Sequence, residues 1–492
     1  MPVHSRRIVG PLARGMWLLG ATLTLGMVLA LPILADVIRP PDSVARLAMS
    51  IVFISVVAFT EMSWIRSGGS VLAPFSLFVL ASATFNGGTA LLLVLGDGSA
   101  GQLVAQLGSG PYLTSLYAVT LATAGLGVGA AAAGTTARRF IRRVPELRFN
   151  EEDQRAAAMA VGLALMLVAA VPAMLQLRTD ATTVLSRGYI GLYQDVGGAT
   201  DLASITSFLS GLLVPGTLFL LASARNSRWR QWLASGVVVA YAAAQMFFGA
   251  RFAALASLLA YAAVWETAIR PVSRGWLLGG ALAANTLIPA VRAFRLIAGA
   301  ARSDLAFLWG VAVAAAGSFT AALAEMGGSQ SVNAYVMGLV PSTRPFELGL
   351  GYLYAMRFIG PNSLWAWQPE YATYSLWLVH QVAPITAAAG GGIGFSFIAE
   401  AYMNFGWIGV LAIPILVGAA IVTWMNPRAD GQVGVLRAAI VGVVLSLMLA
   451  WARGEVVTLT RSFIWYALAP GAACWWLARR HGKARERADV GD

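Results

Sequence analysis

The sequence predicts an all-α fold: a polytopic integral membrane bundle of about 12 transmembrane helices, with both termini cytoplasmic and one long external region. Composition is the first observation behind this prediction. Of the 492 residues, 58% are hydrophobic and only 11% are charged, whereas soluble domains carry roughly 25% charged residues. The mean hydropathy of +0.71 is the second observation. A water-soluble chain could not bury so much apolar surface, so soluble enzymes, disordered proteins and secreted domains are excluded.

Apolar runs long enough to cross a bilayer are the third observation. A spanning helix needs about 20 mostly apolar residues. Such runs cover residues 16–35, 47–65, 71–95, 112–134, 156–177, 204–223, 231–248, 252–268, 275–291, 401–424, 436–452 and 462–478. We therefore treat 1–492 as a single integral membrane domain. Nine helices fall within 1–291, a long external region covers 292–400, and three helices with a cytoplasmic tail complete 401–492.

Arginine placement predicts the orientation. Basic residues crowd 138–148, 225–230, 270–274, 428–437 and 479–487, whereas the connection 96–111 has none. Short loops rich in Arg and Lys stay on the cytoplasmic side, so both termini are predicted inside. The net charge of +12 then serves orientation and does not indicate binding to nucleic acid.

Two further apolar segments leave the number of spans open. Residues 305–323 carry no charge and could cross the bilayer. Residues 375–398 would then cross as well, which gives 14 spans with 325–374 cytoplasmic. Gly and Ala crowd the first segment, and Pro384 and three consecutive glycines interrupt the second. We therefore prefer re-entrant or surface-lying elements of the external region, which are tolerated where they line a cavity.

The absence of several motifs from the sequence limits the cofactors and metals that the protein could use. The one cysteine, Cys474, excludes a disulfide framework and a cysteine-based metal site. The sequence has no phosphate-binding Gly-rich loop with a lysine and no histidine cluster. We therefore expect no cofactor and no metal, and a phosphate at the external face would be neutralised by arginine.

Arginines at the predicted external face are contrary to the rule that basic residues collect on the cytoplasmic side, so the presence of each one needs an explanation. Arg251 follows Phe248-Gly-Ala in a turn with almost no loop. Arg292 and Arg295 are spaced i and i+3, which places them on one helix face, and Arg302 follows. Interfacial anchoring would explain these residues. The functional alternative is that Arg251, Arg292 and Arg295 bind a lipid phosphate.

Other candidates lie in the remaining external segments. Arg187 and Tyr189 belong to the predicted loop 178–203, in a stretch that suits a sugar or phosphate and equally a plain amphipathic turn. Glu400 lies at the mouth of the tenth span, where a carboxylate is a functional candidate by default. It could act as a general base or form a structural pair. His380 is a second candidate base, although a single loop histidine is often incidental.

The stretch Gly391-Gly-Ile-Gly-Phe-Ser-Phe-Ile-Ala-Glu-Ala-Tyr-Met-Asn-Phe-Gly-Trp-Ile-Gly409 resembles the signature of oligosaccharide repeat-unit polymerases, the Wzy-type O-antigen and exopolysaccharide polymerases. This motif includes Tyr402 and Asn404. Upstream, Glu325–Ser329, Gly349–Tyr352 and the Gly-x-Arg turn that ends at Arg251 are similar to the same family in order and spacing. Together these segments cover about the last half of the chain.

The resemblance implies a glycosyltransferase of the bacterial cytoplasmic membrane. A glycan on polyprenyl diphosphate would be transferred to a new lipid-linked repeat unit at the outer face. External arginines would stabilise the diphosphate leaving group, and Glu400, or His380 behind it, would take the acceptor proton. Substrate contacts are expected from Arg187, Tyr189, Arg302, His380, Tyr402 and Asn404.

The partners implied by the resemblance are the lipid-linked oligosaccharide, the bilayer, a chain-length regulator and a flippase. A transporter or flippase of lipid-linked oligosaccharide is the competing class, since 12 spans with both ends inside fit it as well. An O-antigen ligase shares the architecture, but we find no confident match to the ligase histidine motif around His380.

Overall fold

A computed structural model describes residues 11–141, 150–189, 191–194, 201–295, 297, 304–315, 319–359, 373–425 and 434–491. All regular secondary structure in these ranges is helical, which confirms the predicted class. The helices are α1 (Pro11–Ile38), α2 (Asp42–Arg66), α3 (Pro74–Val94), α4 (Ser99–Leu107), α5 (Ser109–Ile141), α6 (Glu151–Arg187), α7 (Gly191–Gln194), α8 (Asp201–Ser210), α9 (Leu213–Ala222), α10 (Arg228–Phe248), α11 (Arg251–Val264), α12 (Arg274–Arg295), α13 (Leu305–Ala315), α14 (Phe319–Met326), α15 (Ser329–Leu339), α16 (Leu350–Ala355), α17 (Tyr374–Val382), α18 (Pro384–Ala388), α19 (Phe397–Ala420), α20 (Val435–Trp451), α21 (Val456–Ser462) and α22 (Ala469–Gly491). Wider π-helical turns extend α11 to Ile269, α19 to Met425 and α21 to Leu468, and a 3₁₀ turn follows α16.

Nine helical segments within the described ranges are long and apolar enough to cross a membrane. They are Gly15–Ile38, Asp42–Arg66, Pro74–Val94, Ser109–Gly134, Glu151–Arg187, Leu202–Ala222, Arg228–Phe248, Arg251–Ile269 and Phe397–Met425. Each coincides with one of the predicted runs. The other three predicted runs are also helical, in α12, α20 and the α21–α22 segment. The total of twelve spans and the orientation stay predictions.

Contacts between helix ends show that the first helices alternate in direction. The rings of Trp17 and Trp64 lie 6.0 Å apart, and a Cβ on Gly134 would lie 3.5 Å from the Trp17 ring. The start of α1 therefore meets the ends of α2 and α5. We call this end of the bundle the tail end, because the C-terminal helix reaches the start of α6, the helix that follows α5. Cβ atoms on Gly434 and Gly482 would lie close to the side chains of Gln154 and Asp153 there. At the opposite, distal end, the Arg46 guanidinium donates to Ser109 Oγ over 2.5 Å.

Glycine permits the closest packing in the bundle, between α5 and α19. A Cβ on Gly129 would lie 1.9 Å from the carbonyl oxygen of Ile415, and a Cβ on Gly418 would lie 2.3 Å from that of Leu126. Only residues without a side chain allow two helix backbones to approach so closely. The small-residue run 125–134 therefore packs closely against another helix, as its composition predicts.

Helix α19 is broken at Gly406, which has a φ of +60° and a ψ of −146°. The break removes the helical partners of the carbonyls one turn earlier. The N–H groups of Glu347 and Leu348 donate to the oxygens of Met403 and Asn404 over 3.0 and 2.8 Å. The segment before α16 is thereby fixed to the first part of α19, since backbone groups inside a membrane protein must be satisfied internally.

Helix α6 starts where the sequence predicts a helix start, but it ends further along the chain than predicted. Asn150 Oδ1 accepts from the Glu152 N–H, as expected of an N-cap. The predicted loop 178–203 is wrong up to residue 187, because α6 continues through Arg187 and ends at Gly188, whose φ is +73°. Nothing before Gly188 stops the helix, and the polar residues after 177 are compatible with helix.

The region 292–400 contains short helices in its described parts. Helix α12 extends four residues into it, to Arg295, and the longest helices between α12 and α19 are the 11-residue α13 and α15. Of the nine candidate spans, only the first residues of Phe397–Met425 fall in the described parts of this region. This arrangement is consistent with the preferred interpretation of re-entrant or surface-lying elements.

Candidate functional site

A buried ion pair lies where α10 turns into α11. Gly249 ends α10 with a φ of +88°, so the chain reverses within two residues and Arg251 becomes the first residue of α11. Its Nη2 lies 2.6 Å from Oε1 of Glu325 on α14. The Arg251 side chain is 5% exposed and that of Glu325 is 30% exposed. The guanidinium is therefore held in one place, with the carboxylate on its more open side.

A second arginine lies against the residue next to Arg251. The guanidinium carbon of Arg453 lies 5.2 Å from the ring centre of Phe85 and 5.8 Å from that of Phe252. These two rings contact each other edge to face, with their centres 5.8 Å apart. Aromatic faces attract guanidinium groups. We refer to Arg251, Glu325, Arg453 and the two rings as the arginine cluster.

Asn86 holds the turn that carries Arg453. Its Nδ2 donates to the carbonyl oxygen of Ala452 over 2.9 Å. Its Oδ1 accepts from Ser396 Oγ over 2.7 Å and from Asn333 Nδ2 over 3.2 Å. All three side chains are fully buried. Because a buried polar side chain is costly unless it is bonded, this network fixes α3, α15, the start of α19 and the 452–453 peptide relative to one another.

Glu400 is fully buried beside the same turn. Its Oε2 accepts from the indole N–H of Trp451 over 3.2 Å and from the Val456 N–H over 2.9 Å, and its Oε1 lies 3.0 Å from the same N–H. The carboxylate thus caps the start of α21, where the helix dipole favours a negative charge. Of the two roles that the sequence left open, these contacts favour the structural one, although the partners are not arginines.

Glu455 is a second buried carboxylate that accepts hydrogen bonds from the start of a helix. Its carboxylate accepts from the N–H groups of Tyr374 and Ser375 over 2.7 and 3.2 Å, at the start of α17. Burial raises the pKa of Glu455, and these hydrogen bonds partly offset that rise. Helix α17 carries His380, which is exposed. The 451–456 turn therefore connects the arginine cluster to the helix of the candidate base.

Tyr402 and Asn404 both contact the segment before α16. Asn404 is fully buried; its Nδ2 donates to the Glu400 carbonyl and its Oδ1 accepts from the Gly351 N–H over 3.2 Å. The Tyr402 hydroxyl donates to the Val340 carbonyl over 3.4 Å. In the structure, their hydrogen bonds stabilise the broken helix α19.

The remaining predicted residues are spread more widely. Arg187 is exposed at the end of α6, and Tyr189 follows it, half-buried. Arg292 and Arg295 lie on α12, which packs against α13 and α14; their side chains, and all of Arg302, fall outside the described residues. The structure brings Glu400 together with Asn404 and Tyr402, and Arg251 with Glu325 and Arg453.

Sequence reasoning missed Asn86, Arg453 and Glu455. A signal existed for the last two, because they lie between the apolar runs 436–452 and 462–478, in a connection predicted to be external. For Asn86 the signal was a polar amide inside the third apolar run, where an unpaired side chain would be expensive. Within the described ranges, no group of three or more His, Cys, Asp or Glu residues could hold a metal ion.

Fold and site together define a polytopic membrane protein with a charged cluster at one end of its helical bundle. The chain belongs to the O-antigen polysaccharide polymerase Wzy family, whose model matches residues 29–484, nearly the whole chain. The resemblance found in the sequence is thereby confirmed. The protein is thus a multi-pass membrane protein of a polymerase family that acts on lipid-linked oligosaccharide repeat units. No curated protein and no solved structure gives a significant match.

Proposed function

We propose that this protein is a glycosyltransferase that polymerises polyprenyl-diphosphate-linked oligosaccharide repeat units at the outer face of the bacterial cytoplasmic membrane. The observation that carries the proposal is the pair of arginines at one turn: Arg251 precedes Phe252 in α11, and Arg453 lies against the Phe252 ring. Family membership supplies the reaction class, and the arginine cluster supplies cationic groups for a diphosphate.

The chemistry requires a group that stabilises the departing diphosphate. The bond between the anomeric carbon and the diphosphate oxygen breaks, the acceptor hydroxyl oxygen bonds to that carbon, and its proton passes to a base. Arg251 and Arg453 would stabilise the charge that develops on the leaving oxygen. Glu325 would hold the Arg251 guanidinium in orientation, as its 2.6 Å contact allows. Arg292 and Arg295 remain proposed diphosphate contacts, and Arg302 remains a proposed substrate contact.

The contacts of Glu400 favour a positioning role over that of the base. A general base must reach the proton that it removes, and Glu400 is fully buried and bonded to Trp451 and Val456. His380 is exposed on α17, whose start is tied to the turn that carries Arg453. We therefore propose His380 as the acceptor of the proton. Arg187 and Tyr189 remain proposed sugar contacts.

The outer-face location rests on charge. The arginine cluster follows the C-terminus of α10 and the end of α20, whereas the arginine-rich tail and the start of α20 lie at the tail end. Since arginine-rich connections favour the cytoplasm, the distal end and its cluster would face outward. There the protein would meet lipid-linked units, a chain-length regulator and a flippase.

The test uses purified protein in vesicles supplied only with lipid-linked repeat units, with glycan length followed on a gel. We expect a ladder from the wild type and none from Arg251→Ala. Arg251→Lys should restore little, because a lysine lacks the planar fork that binds phosphate through two hydrogen bonds. The matched control is Arg39→Ala, since Arg39 is exposed and its side chain donates to the nearby Asp36 carbonyl.

Three outcomes would each reject a part of the proposal. Movement of lipid-linked units across the bilayer without ladder formation would identify a transporter. In a second set of vesicles that also contains lipid A, transfer of glycan only to that acceptor would identify a ligase. Unchanged ladders from folded Arg251→Ala would remove that residue from the site and leave the reaction class standing.

A further inference from the structure

The segment 347–356 satisfies its backbone in an unusual way. It forms no long helix, yet most of the N–H groups between residues 347 and 353 are bonded. Those of Glu347 and Leu348 donate to α19, and that of Gly351 donates to the side chain of Asn404. Further N–H groups donate to carbonyls within the segment, at residues 350, 352 and 353. A short, irregular segment with its donors paired in this way can lie where no water is available.

Apolar side chains point outward from this segment. Leu348, Leu350, Leu353 and Met356 are between 54% and 76% exposed. Four large apolar side chains exposed so close together form a patch that normally marks an interaction surface. We call them the leucine patch.

Packing against α5 gives the depth of the patch. Arg46 and Ser109 bond to each other at the distal end, and Tyr117 lies eight residues further along α5, about 12 Å towards the bundle centre. The rings of Tyr117 and Trp407 are 5.4 Å apart. Asn404, three residues before Trp407, accepts from the Leu348 N–H. The start of the segment therefore lies beside α5 between Ser109 and Tyr117, on the bundle-centre side of the contact between Arg46 and Ser109.

We infer that the leucine patch is embedded in the acyl chains of the bilayer, so that segment 347–356 is a membrane-dipping element and not part of an aqueous loop. Continuity with α19 supports lipid as the occupant. Ile408, one turn after Asn404 on a candidate spanning helix, is 76% exposed and would contact the same lipid layer. Arg357 follows the patch directly and is buried against the ring of Tyr354. The segment thus keeps its charge inside the protein and its leucines outside.

Nitroxide labels on single cysteines test the inference. In a Cys474→Ala background, Leu353→Cys and Leu350→Cys are labelled in the full-length protein in phospholipid vesicles. Collisions with oxygen, which concentrates in lipid, are compared with collisions with a water-soluble nickel chelate. Ile408→Cys provides the lipid-facing reference and Ser342→Cys, exposed at the preceding turn, provides the aqueous reference.

We expect the oxygen-to-nickel collision ratio at 353 and 350 to match that at 408 and to exceed that at 342 several-fold. A ratio equal to that at 342 would place the patch in water and overturn the inference. Low collision with both reagents, together with a short label-to-label distance between protomers, would identify a second copy of the chain as the occupant and would also overturn it. Both leucines are largely exposed, so neither substitution removes core packing.

Discussion

The side-chain amide of Asn86 donates to the carbonyl oxygen of Ala452 over 2.9 Å and so joins the middle of α3 to the turn that presents Arg453. The preceding residue, Phe85, provides one of the two rings against which the Arg453 guanidinium lies. Two consecutive residues of one helix therefore determine both the backbone and the side-chain position of this arginine. Asn86 is a positioning residue in this scheme, because it acts through Arg453.

Asn86→Leu should reduce polymerisation to the level of Arg453→Ala. The substitution preserves size but removes the partner of the Ala452 carbonyl and of the Ser396 and Asn333 side chains. Each unsatisfied buried group costs about 1–3 kcal/mol, so the unfolding temperature should also fall. The rate of ladder formation per folded protein is the measurement.

The double variant of Asn86 and Arg453 separates positioning from general destabilisation. If Asn86 acts through Arg453, the double variant should be no slower than either single variant, because coupled residues are not additive. Thr123→Val is the control, since the buried Thr123 hydroxyl bonds only within its own helix, to Val119. Fully additive losses would show that Asn86 acts independently.

Glu400→Gln and Glu400→Ala should differ sharply. One oxygen of Glu400, Oε2, accepts from both Trp451 and Val456. A glutamine carbonyl in that position keeps both bonds once its amide nitrogen turns away from the Val456 N–H, which Oε1 also approaches. The alanine variant leaves both donors unsatisfied, at about 1–3 kcal/mol each. We expect near-native thermal stability and ladders from the glutamine variant, and loss of both from the alanine variant. A well-folded but inactive glutamine variant would instead make Glu400 the base.

His380→Ala should lower kcat with little change in KM for the lipid-linked acceptor. A general base contributes about 10²–10⁴-fold to the rate, and the exposed His380 side chain is not part of the core. Gln381→Ala, at the exposed neighbouring position, should behave as the wild type. Initial rates over a range of acceptor concentrations separate the two constants. Equal rates for the two variants would exclude His380.

Glu455 should make the folded state less stable as the pH rises. Its pKa is raised by burial, so the unfolded chain releases the proton at lower pH than the folded protein does. The stability contribution is fully present below the unfolded pKa of about 4.3 and is lost as the pH rises through the folded value.

The glutamine variant at position 455 has no such proton to lose. As the pH rises, the unfolding temperature of the wild type should therefore fall relative to that of Glu455→Gln. Both temperatures are measured in one detergent across this pH range. A constant difference would contradict the prediction.

Hydropathy and arginine placement predicted the helical class and the helices themselves, because a bilayer admits few alternatives. The Gly-x-Arg turn was also predictable, as Gly249 adopts a left-handed conformation before Arg251. The partners of Glu400 were not, because Trp451 and Val456 are more than fifty positions away and nothing local selects them. The break at Gly406 escaped prediction for a related reason. A glycine inside an apolar run reads as close helix packing, and only the donors of Glu347 and Leu348 reveal that the helix is interrupted.

The contact between α5 and α19 leaves no room for an added atom at Gly129 or Gly418, and this restricts how the protein can move. Two helices whose backbones touch cannot slide past each other without a clash, so they behave as one rigid unit. The glycan product of the proposed polymerisation must nevertheless leave the site. Any widening that lets it pass must therefore come from elements that hinge around this rigid pair of helices.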